Sequence, residues 1–160
     1  MDTESGQEQN DREADRQPGF LIRRLHQIHT ALFAEEAAGL EITPPQYGVL
    51  MVIAAQPGLD QSAIAEEIGV DRATLASVVA RLEAAGFVRR ATSKTDRRQK
   101  LLSLTARGKA IVTRMQQPVQ RAQERVMEPL PAKEREQFLK LLNRLVDGGN
   151  DHGRAKLRLK

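Results

Sequence analysis

Residues 71–86 constrain the fold of this chain more than any other stretch of its sequence. The apolar residues of this stretch recur at the spacing i, i+3, i+4, i+7, which predicts a helix with one side packed on a core; they are Leu75, Val78, Val79 and Leu82. Asp71 is suited to cap the helix and Gly86 to end it. The opposite face carries small residues, hydroxyl groups and arginines, which suits insertion into a DNA groove. An ordinary Ala-rich surface helix would have the same composition.

Composition limits the class of protein. A chain of 160 residues can bury a core as one domain, and an aromatic content of only 3% favours helix over sheet. The sequence contains no apolar run of about 18 residues and no signal-peptide pattern, so we expect a cytoplasmic protein without a membrane partner. Cysteine is absent, which excludes disulfides, thiolate nucleophiles and thiol-based redox switches.

Charge is distributed unevenly along the chain. Residues 1–19 hold six acids and two bases, whereas residues 71–114 hold eleven bases and three acids. A basic run is usually a solvated face. Because this one coincides with a helix-turn-strand pattern, a polyanionic partner is the favoured interpretation.

The N-terminal part of the chain divides into two regions. Residues 1–17 are polar, acidic and without periodicity, and we expect a disordered tail. Residues 18–40 are expected to form an N-terminal dimerisation helix. This helix would carry two apolar stripes, which imply two burial partners, such as the domain core and a second subunit; they are Leu21, Leu25, Ile28 and Leu32, and then Ile22, His26, His29 and Phe33.

Residues 43–104 are predicted to form a winged helix-turn-helix region. Thr43 and Gln46 flank Pro44-Pro45 in a capping box, which starts one helix. A short helix from Asp60 ends at Gly69 and leads directly into the helix of residues 71–86, so that a tight turn joins two helices. The period then changes, and 87–92 and 100–104 are predicted as strands around a basic loop, which together form a wing. A solvated turn is the alternative for this loop.

Residues 105–148 are expected to form the C-terminal dimerisation helices, and residues 149–160 a basic tail. Thr105 can cap a long helix that contains Pro118, where we expect a kink. The last helix is predicted to turn its apolar residues inward; they are Phe138, Leu141, Leu142 and Leu145. These apolar stripes exceed what a small winged domain can cover, which favours an obligate homodimer. The predicted fold class is therefore mainly α with a small β-wing, as a winged helix-turn-helix domain flanked by N- and C-terminal dimerisation helices.

In this order and spacing, the motifs resemble the MarR family of winged-helix regulators across residues 20–146. The matching residues are Thr43-Pro44-Pro45-Gln46-Tyr47, Ile64-Ala65 with Gly69, Arg81-Leu82-Glu83 followed by Gly86, Asp96-Arg97-Arg98, and Leu104-Thr105 with Gly108. The resemblance implies a dimer with intertwined first and last helices, recognition helices in major grooves, and wings in minor grooves. It also implies that Asp96 braces Arg98, and that a ligand pocket lies between the dimerisation helices and the winged domain. The chain departs from the pattern at Leu130-Pro131, where a Ser or Thr cap is expected.

Nine residues are candidates for DNA contact. On the recognition helix, hydroxyl and guanidinium groups would reach base edges or nearby phosphates; these residues are Arg72, Thr74, Ser77 and Arg81. Gln61 and Ser62 begin the preceding helix and would face phosphate. Lys94, Arg97 and Arg98 belong to the wing. Arg81 has an alternative role, which is to pair with Glu83 or another acid and support the fold.

The segment from Gly19 to His29 resembles family members that sense aromatic acids or their coenzyme A thioesters. The candidate ligand residues combine apolar, polarisable and cationic groups, as an aromatic ring with an acidic end requires; they are Ile22, Arg23, Arg24, His26, His29, Phe33, Tyr47 and Met51. The histidines could equally be ordinary half-buried residues, and both arginines could lie on the surface. His26 and His29 alone do not make a closed metal site, so we predict no metal and no cofactor.

The leading functional hypothesis is a repressor that an aromatic carboxylate or aromatic acyl-CoA releases from its operator. A two-fold dimer would recognise a pseudo-palindrome in double-stranded DNA, with half-site centres about 10–10.5 base pairs apart, or a multiple. A ligand-independent DNA-organising or counter-silencing protein and a metal-responsive regulator are the alternatives. The sequence has no Gly-rich phosphate loop, paired-carboxylate motif or nucleophile with an adjacent base, so an enzyme is not expected.

Overall fold

The computed structural model describes residues 17–153, and within them the chain is mainly helical with one small antiparallel sheet. The predicted tails, 1–17 and 149–160, therefore lie largely outside the described residues. The elements are α1 (Pro18–Glu36), α2 (Pro44–Ala55), α3 (Gln61–Ile68), α4 (Arg72–Ala84), β1 (Val88–Thr92), β2 (Lys100–Leu104), α5 (Ala106–Met127) and α6 (Ala132–Gly149), followed by a 3₁₀ turn, Asn150–His152. The predicted fold class, mainly α with a β-wing, is confirmed.

Side-chain caps start four of these helices. Thr43 and Gln46 form the predicted capping box of α2, with N···O distances of 3.4 and 3.0 Å. Asp60 and Asp71 accept hydrogen bonds from main-chain N–H groups of α3 and α4, at 2.9 and 2.8 Å. Thr105 caps α5. Each cap satisfies an N–H group that the helix itself leaves without a partner. Among residues 17–153, no side chain caps α6, which begins after Pro131, as the departure at Leu130-Pro131 predicted.

The core lies where α2, α3, α4, β2 and α5 meet. Its fully buried side chains are Val49, Leu50, Ile53, Ile64, Leu75, Val79, Leu82, Leu102 and Met115. Three of the four apolar residues predicted for α4 are in this set, and Val78 is half-buried. Gly69 takes a φ of 75° between α3 and α4, a conformation that costs glycine little and other residues more. The turn of the helix-turn-helix therefore has a glycine at the position where the backbone is left-handed.

The wing is a hairpin with a third segment alongside. β1 and β2 pair in register from Val88↔Leu104 to Thr92↔Lys100, and β1 begins one residue later than predicted. On the other edge of β2, Leu102 N donates to Leu59 O, and Gly58 N donates to Leu102 O, both at 2.9 Å. The residues just before α3 are thus joined to the wing by main-chain hydrogen bonds, which the sequence pattern did not indicate.

Helix α1 packs on the rest of the described chain mainly through its C-terminal part. Phe33 and Ala37 are buried, and Glu36 accepts hydrogen bonds from Arg121 Nε at 2.6 Å and Arg125 Nη1 at 2.9 Å. These hydrogen bonds, first Arg121 and then Arg125, hold the pKa of Glu36 below its ordinary value. Helix α1 ends at Glu36, and the remainder of the predicted 18–40 segment forms a turn.

The prediction that α6 turns its apolar face inward is wrong for this chain. None of the α6 residues is buried; Phe138 is half-buried, and Leu141, Leu142 and Leu145 are 47%, 40% and 67% exposed. The periodicity indicated an apolar face correctly but could not indicate what covers it.

Pro118 is buried within α5, which continues as one helix on both sides of it. In the described part of the chain, no helix is long and apolar enough to cross a membrane.

Candidate nucleic-acid interface and ligand region

The exposed face of α4 consists of small, hydroxyl and cationic side chains. Burial of Leu75, Val79 and Leu82 turns the opposite side of the helix outward. The exposed residues are Arg72, Ala73, Thr74, Ala76, Ser77, Ala80, Arg81 and Ala84. All four candidates for DNA contact on this helix are among them, so their side chains are accessible to a partner that approaches α4.

The hydroxyl of Thr74 is restricted by the helix cap. Its Oγ1 donates to Asp71 Oδ2 at 2.8 Å, while its main-chain N–H donates to Asp71 Oδ1. The hydroxyl proton is therefore already donated to Asp71, and Oγ1 can act only as an acceptor towards a base edge. Ser77 makes no such contact within the described residues and keeps both donor and acceptor capacity.

The alternative role of Arg81 as the partner of Glu83 is wrong. Glu83 instead accepts a hydrogen bond from Arg90 of β1, with Nε and Oε2 2.7 Å apart. Within residues 17–153, Arg81 has no ion pair, and its guanidinium remains exposed beside α2. Because Glu83 is already paired with Arg90, Arg81 remains available to an anionic partner.

The first turn of α2 lies next to α4. A surface cleft of about 450 Å³ separates the two helices, and its lining includes Thr43, Pro45, Gln46, Ser77 and Arg81. The sequence pattern identified 43–46 only as a helix start. No local signal could place these residues beside α4, because the contact depends on how α2 and α4 pack.

The wing loop is held by a network around Ser93. This serine is buried, and its Oγ accepts from the main-chain N–H groups of Thr95 and Asp96, each at 3.3 Å. Asp96 Oδ1 in turn accepts from the main-chain N–H of Arg98 at 2.9 Å. The brace that the resemblance implied for Arg98 therefore acts on its backbone, because Asp96 accepts that N–H within a tight turn. Lys94, Arg97 and Arg98 all stay exposed.

One polar residue at the base of the wing, Arg90, was missed by sequence reasoning. Arg90 Nη1 donates to Gln61 Oε1 at 3.1 Å, in addition to its ion pair with Glu83. Gln61 and Ser62 are half-buried at the start of α3. The alternation of β1 could have placed Arg90 on the same face as buried Val88, but the partners lie 7 and 29 residues away in sequence.

Three of the eight candidate ligand residues come together. His29 and Phe33 rings stand edge to face with centroids 6.3 Å apart, and the Phe33 and Tyr47 rings are 6.4 Å apart. Burial, followed by the charge of His26, lowers the pKa of His29, and burial raises the pKa of Tyr47. In both groups burial therefore favours the neutral form.

The other five candidates lie on the surface of the single chain; they are Ile22, Arg23, Arg24, His26 and Met51. The Arg23 guanidinium lies 5.6 Å from the centroid of the Phe20 ring, and Arg24 donates to Gln27. The predicted stripe is not continuous because the N-terminal half of α1 extends beyond the core of this chain. Within the described residues, no group of three His, Asp or Glu side chains could hold a metal ion.

Comparison with known proteins places the chain in a family. Residues 40–99 match the model of the MarR family. The transcriptional regulatory protein for the hcr operon of Thauera aromatica is 40% identical over 128 residues, which cover 79% of this chain and 77% of the relative. The chain belongs to the MarR family. It is thus a MarR-family transcriptional regulator and not an enzyme.

Solved structures with the same fold include DNA-bound and ligand-bound proteins. The PcaV regulator of Streptomyces coelicolor, in complex with its natural ligand, is 38% identical with a TM-score of 0.78, covering 83% of this MarR-family chain and 94% of PcaV. The repressor CouR, bound to a 23-mer DNA duplex, is 30% identical with a TM-score of 0.77 and covers 83% and 94%. Bordetella bronchiseptica BpsR, whose DNA binding 6-hydroxynicotinic acid regulates, is 28% identical with a TM-score of 0.73 and covers 79% and 96%.

Proposed function

We propose that this MarR-family regulator is a homodimeric, sequence-specific DNA-binding repressor that a small aromatic acid or its coenzyme A thioester releases from its operator. The observation that carries the DNA-binding part is the exposed face of α4, which combines small, hydroxyl and cationic side chains and lies in the same domain as a wing loop with three exposed cations. Small side chains let the helix axis approach a groove closely, and the cations supply phosphate contacts. CouR was solved on duplex DNA, which supports the same use of this fold here.

Homodimerisation is inferred from where the exposed apolar side chains lie. Large exposed hydrophobic residues in the described chain are on α1 and α6, with the single exception of Met51. Such a concentration is unusual for a monomer and typical of an interface. A two-fold dimer would present two copies of α4, and a pseudo-palindromic operator would match them.

The wing prediction is that Arg98→Ala weakens DNA binding across all sequences, by about tenfold, and reduces the salt slope by about one. Asp96 holds only the main-chain N–H of Arg98, so the alanine variant keeps the turn and loses only the cation. Ser77→Ala, in contrast, is expected to change sequence preference, with a smaller loss of affinity because a single hydroxyl contributes less than a bidentate pair.

The measurement is fluorescence anisotropy with a duplex that wild-type protein selects from a random-sequence pool, at several salt concentrations. Arg114→Ala is the control, since Arg114 is an exposed arginine of α5 outside the proposed interface. Equal losses for Arg98→Ala and Arg114→Ala would show that only net charge matters and would contradict the wing assignment.

The effector part of the proposal rests on the aromatic chain from His29 through Phe33 to Tyr47. Neutral imidazole and phenol groups beside a buried ring suit an aromatic acid, since they offer stacking and hydrogen bonds without a competing charge. Arg23 and Arg24 lie nearer the start of α1 and would hold a carboxylate or the phosphates of coenzyme A. BpsR responds to 6-hydroxynicotinic acid, an aromatic acid of this class.

We expect an aromatic acid or its thioester to dissociate the operator complex. A ligand that binds the DNA-incompetent form 100-fold better shifts the equilibrium by about 2.7 kcal/mol, which is enough for release. The test titrates the complex with a panel of aromatic acids and their thioesters, for wild type and for Arg23→Ala/Arg24→Ala. Loss of the response in the double variant supports the proposal. If no panel member binds the free protein, a ligand-independent DNA-binding function replaces it.

A further inference from the structure

One arginine of the wing contacts both helices of the helix-turn-helix. Arg90 Nε donates to Glu83 Oε2 at 2.7 Å, and Arg90 Nη1 donates to Gln61 Oε1 at 3.1 Å. Glu83 lies near the end of α4, and Gln61 is the first residue of α3. A single side chain of β1 therefore connects the wing, the recognition helix and the helix before it.

The hydrogen bond from Arg90 determines which end of the Gln61 amide faces outward. A guanidinium group has only donors, so the carboxamide oxygen must be the atom that faces Arg90. The amino group of the same side chain is left for another acceptor. An amide N–H donor can bind a phosphate oxygen, whereas a carbonyl oxygen in that place would repel it. The contact expected between Gln61 and phosphate thus depends on Arg90.

Arg90 also neutralises an acid on the recognition helix. The side chains of Arg90 and Glu83 are 33% and 30% exposed, so the ion pair is within reach of solvent. An unpaired carboxylate on a helix that lies against DNA would repel nearby phosphates, since screening at physiological salt acts over about 8 Å. The pair therefore contributes to DNA binding by removing this repulsion, rather than through its own modest effect on stability.

We propose that Arg90 is a positioning residue for DNA recognition: it presents the Gln61 amide to a phosphate and cancels the charge of Glu83. The inference rests on the proposed DNA-binding function and adds a residue that acts through two others. Its neighbour offers a matched control. Arg89 is equally cationic and lies on the same strand, but its side chain is on the other face of the hairpin and donates to Ser103 Oγ at 3.0 Å.

The first experiment compares Arg90→Gln, Arg90→Lys and Arg89→Gln for affinity to the selected duplex, with melting temperature as a check on folding. We expect Arg90→Gln to weaken binding more than tenfold, because both effects are lost. Arg90→Lys keeps a charge but cannot donate to Glu83 and Gln61 from two separate nitrogens, and we expect a three- to tenfold loss of affinity. Arg89→Gln should cost about two- to threefold through net charge alone.

The second experiment separates the two effects. If Arg90 acts through Gln61, Arg90→Lys should weaken binding less in a Gln61→Ala background than in the wild type. If it also cancels Glu83, then Glu83→Gln should restore part of the affinity of Arg90→Gln. Equal losses for Arg90→Gln and Arg89→Gln, or full additivity of Gln61→Ala and Arg90→Lys, would overturn the proposal. Failure of the wild type to select any duplex would instead overturn the proposed function.

Discussion

Replacing Gly108 with alanine is expected to lower the free energy of unfolding by about 2–3 kcal/mol. A Cβ atom at this position would lie only 2.0 Å from the carbonyl oxygen of Phe87 and 3.0 Å from its carbonyl carbon. That part of the backbone has little freedom to retreat, because Thr105 N donates to Phe87 O at 3.0 Å and Thr105 Oγ1 donates to Gly86 O at 2.7 Å. The first turn of α5 must therefore shift away from the start of the wing.

Gly48→Ala is the matched control for this prediction. Gly48 also lies within a helix, α2, but in the described part of the chain no atom beyond its chain neighbours and the surrounding helix backbone lies within 4 Å of the place where its Cβ would be. The same chemical change should there stabilise the protein by about 0.5–1 kcal/mol through higher helix propensity. Urea denaturation of both variants measures the two effects. A similar change in stability for both would show that the contact with Phe87 is not what requires glycine at 108.

Replacing Leu142 and Leu145 together with glutamate is expected to convert the proposed dimer to a monomer. Both side chains are exposed in the single chain, and burying a leucine at an interface stabilises it by at least about 1.5 kcal/mol. In a two-fold interface each replacement occurs twice, so the dimer dissociation constant should rise by at least about ten-thousandfold. The monomer would bind one half-site only, and the affinity for a palindromic duplex should fall steeply.

Sedimentation velocity and DNA titration together test this prediction. Asn143→Glu adds a negative charge to the opposite face of α6, where the side chain is also exposed, and it should leave the oligomeric state unchanged. If the double leucine variant sediments as the wild type does, the exposed face of α6 is not the dimer interface.

Local features of the fold could be predicted from the sequence because their causes are local. The caps at Thr43, Asp71 and Thr105 follow from side chains that reach main-chain N–H groups three residues away. The strand at 100–104 follows from its flanking turn. The exposed candidates of α4 follow from the helical period, which separates a buried side from an accessible one.

Contacts between distant residues could not be predicted in this way. The bridge from Arg90 to Gln61 spans 29 residues, and the cleft between α2 and α4 depends on helix packing. For α6 the periodicity identified the apolar face, but the pattern of one helix cannot indicate what covers that face. In the predicted α1 stripe that contains the histidines, only Phe33 and His29 reach the core. The helical pattern alone could not indicate where along α1 the core ends.

The main-chain hydrogen bonds between Leu59 and β2 have a consequence for how the proposed effector would act. Together with the Arg90 contacts, they join α3, α4 and the wing into one unit with little internal freedom. We therefore expect that the proposed effector, bound beside Phe33, would not release DNA by loosening a single recognition element. It would instead change the distance or angle between the two such units of the proposed dimer. The response to an effector and the preference for a particular operator spacing would thus both depend on how easily the distance between the two DNA-binding units changes.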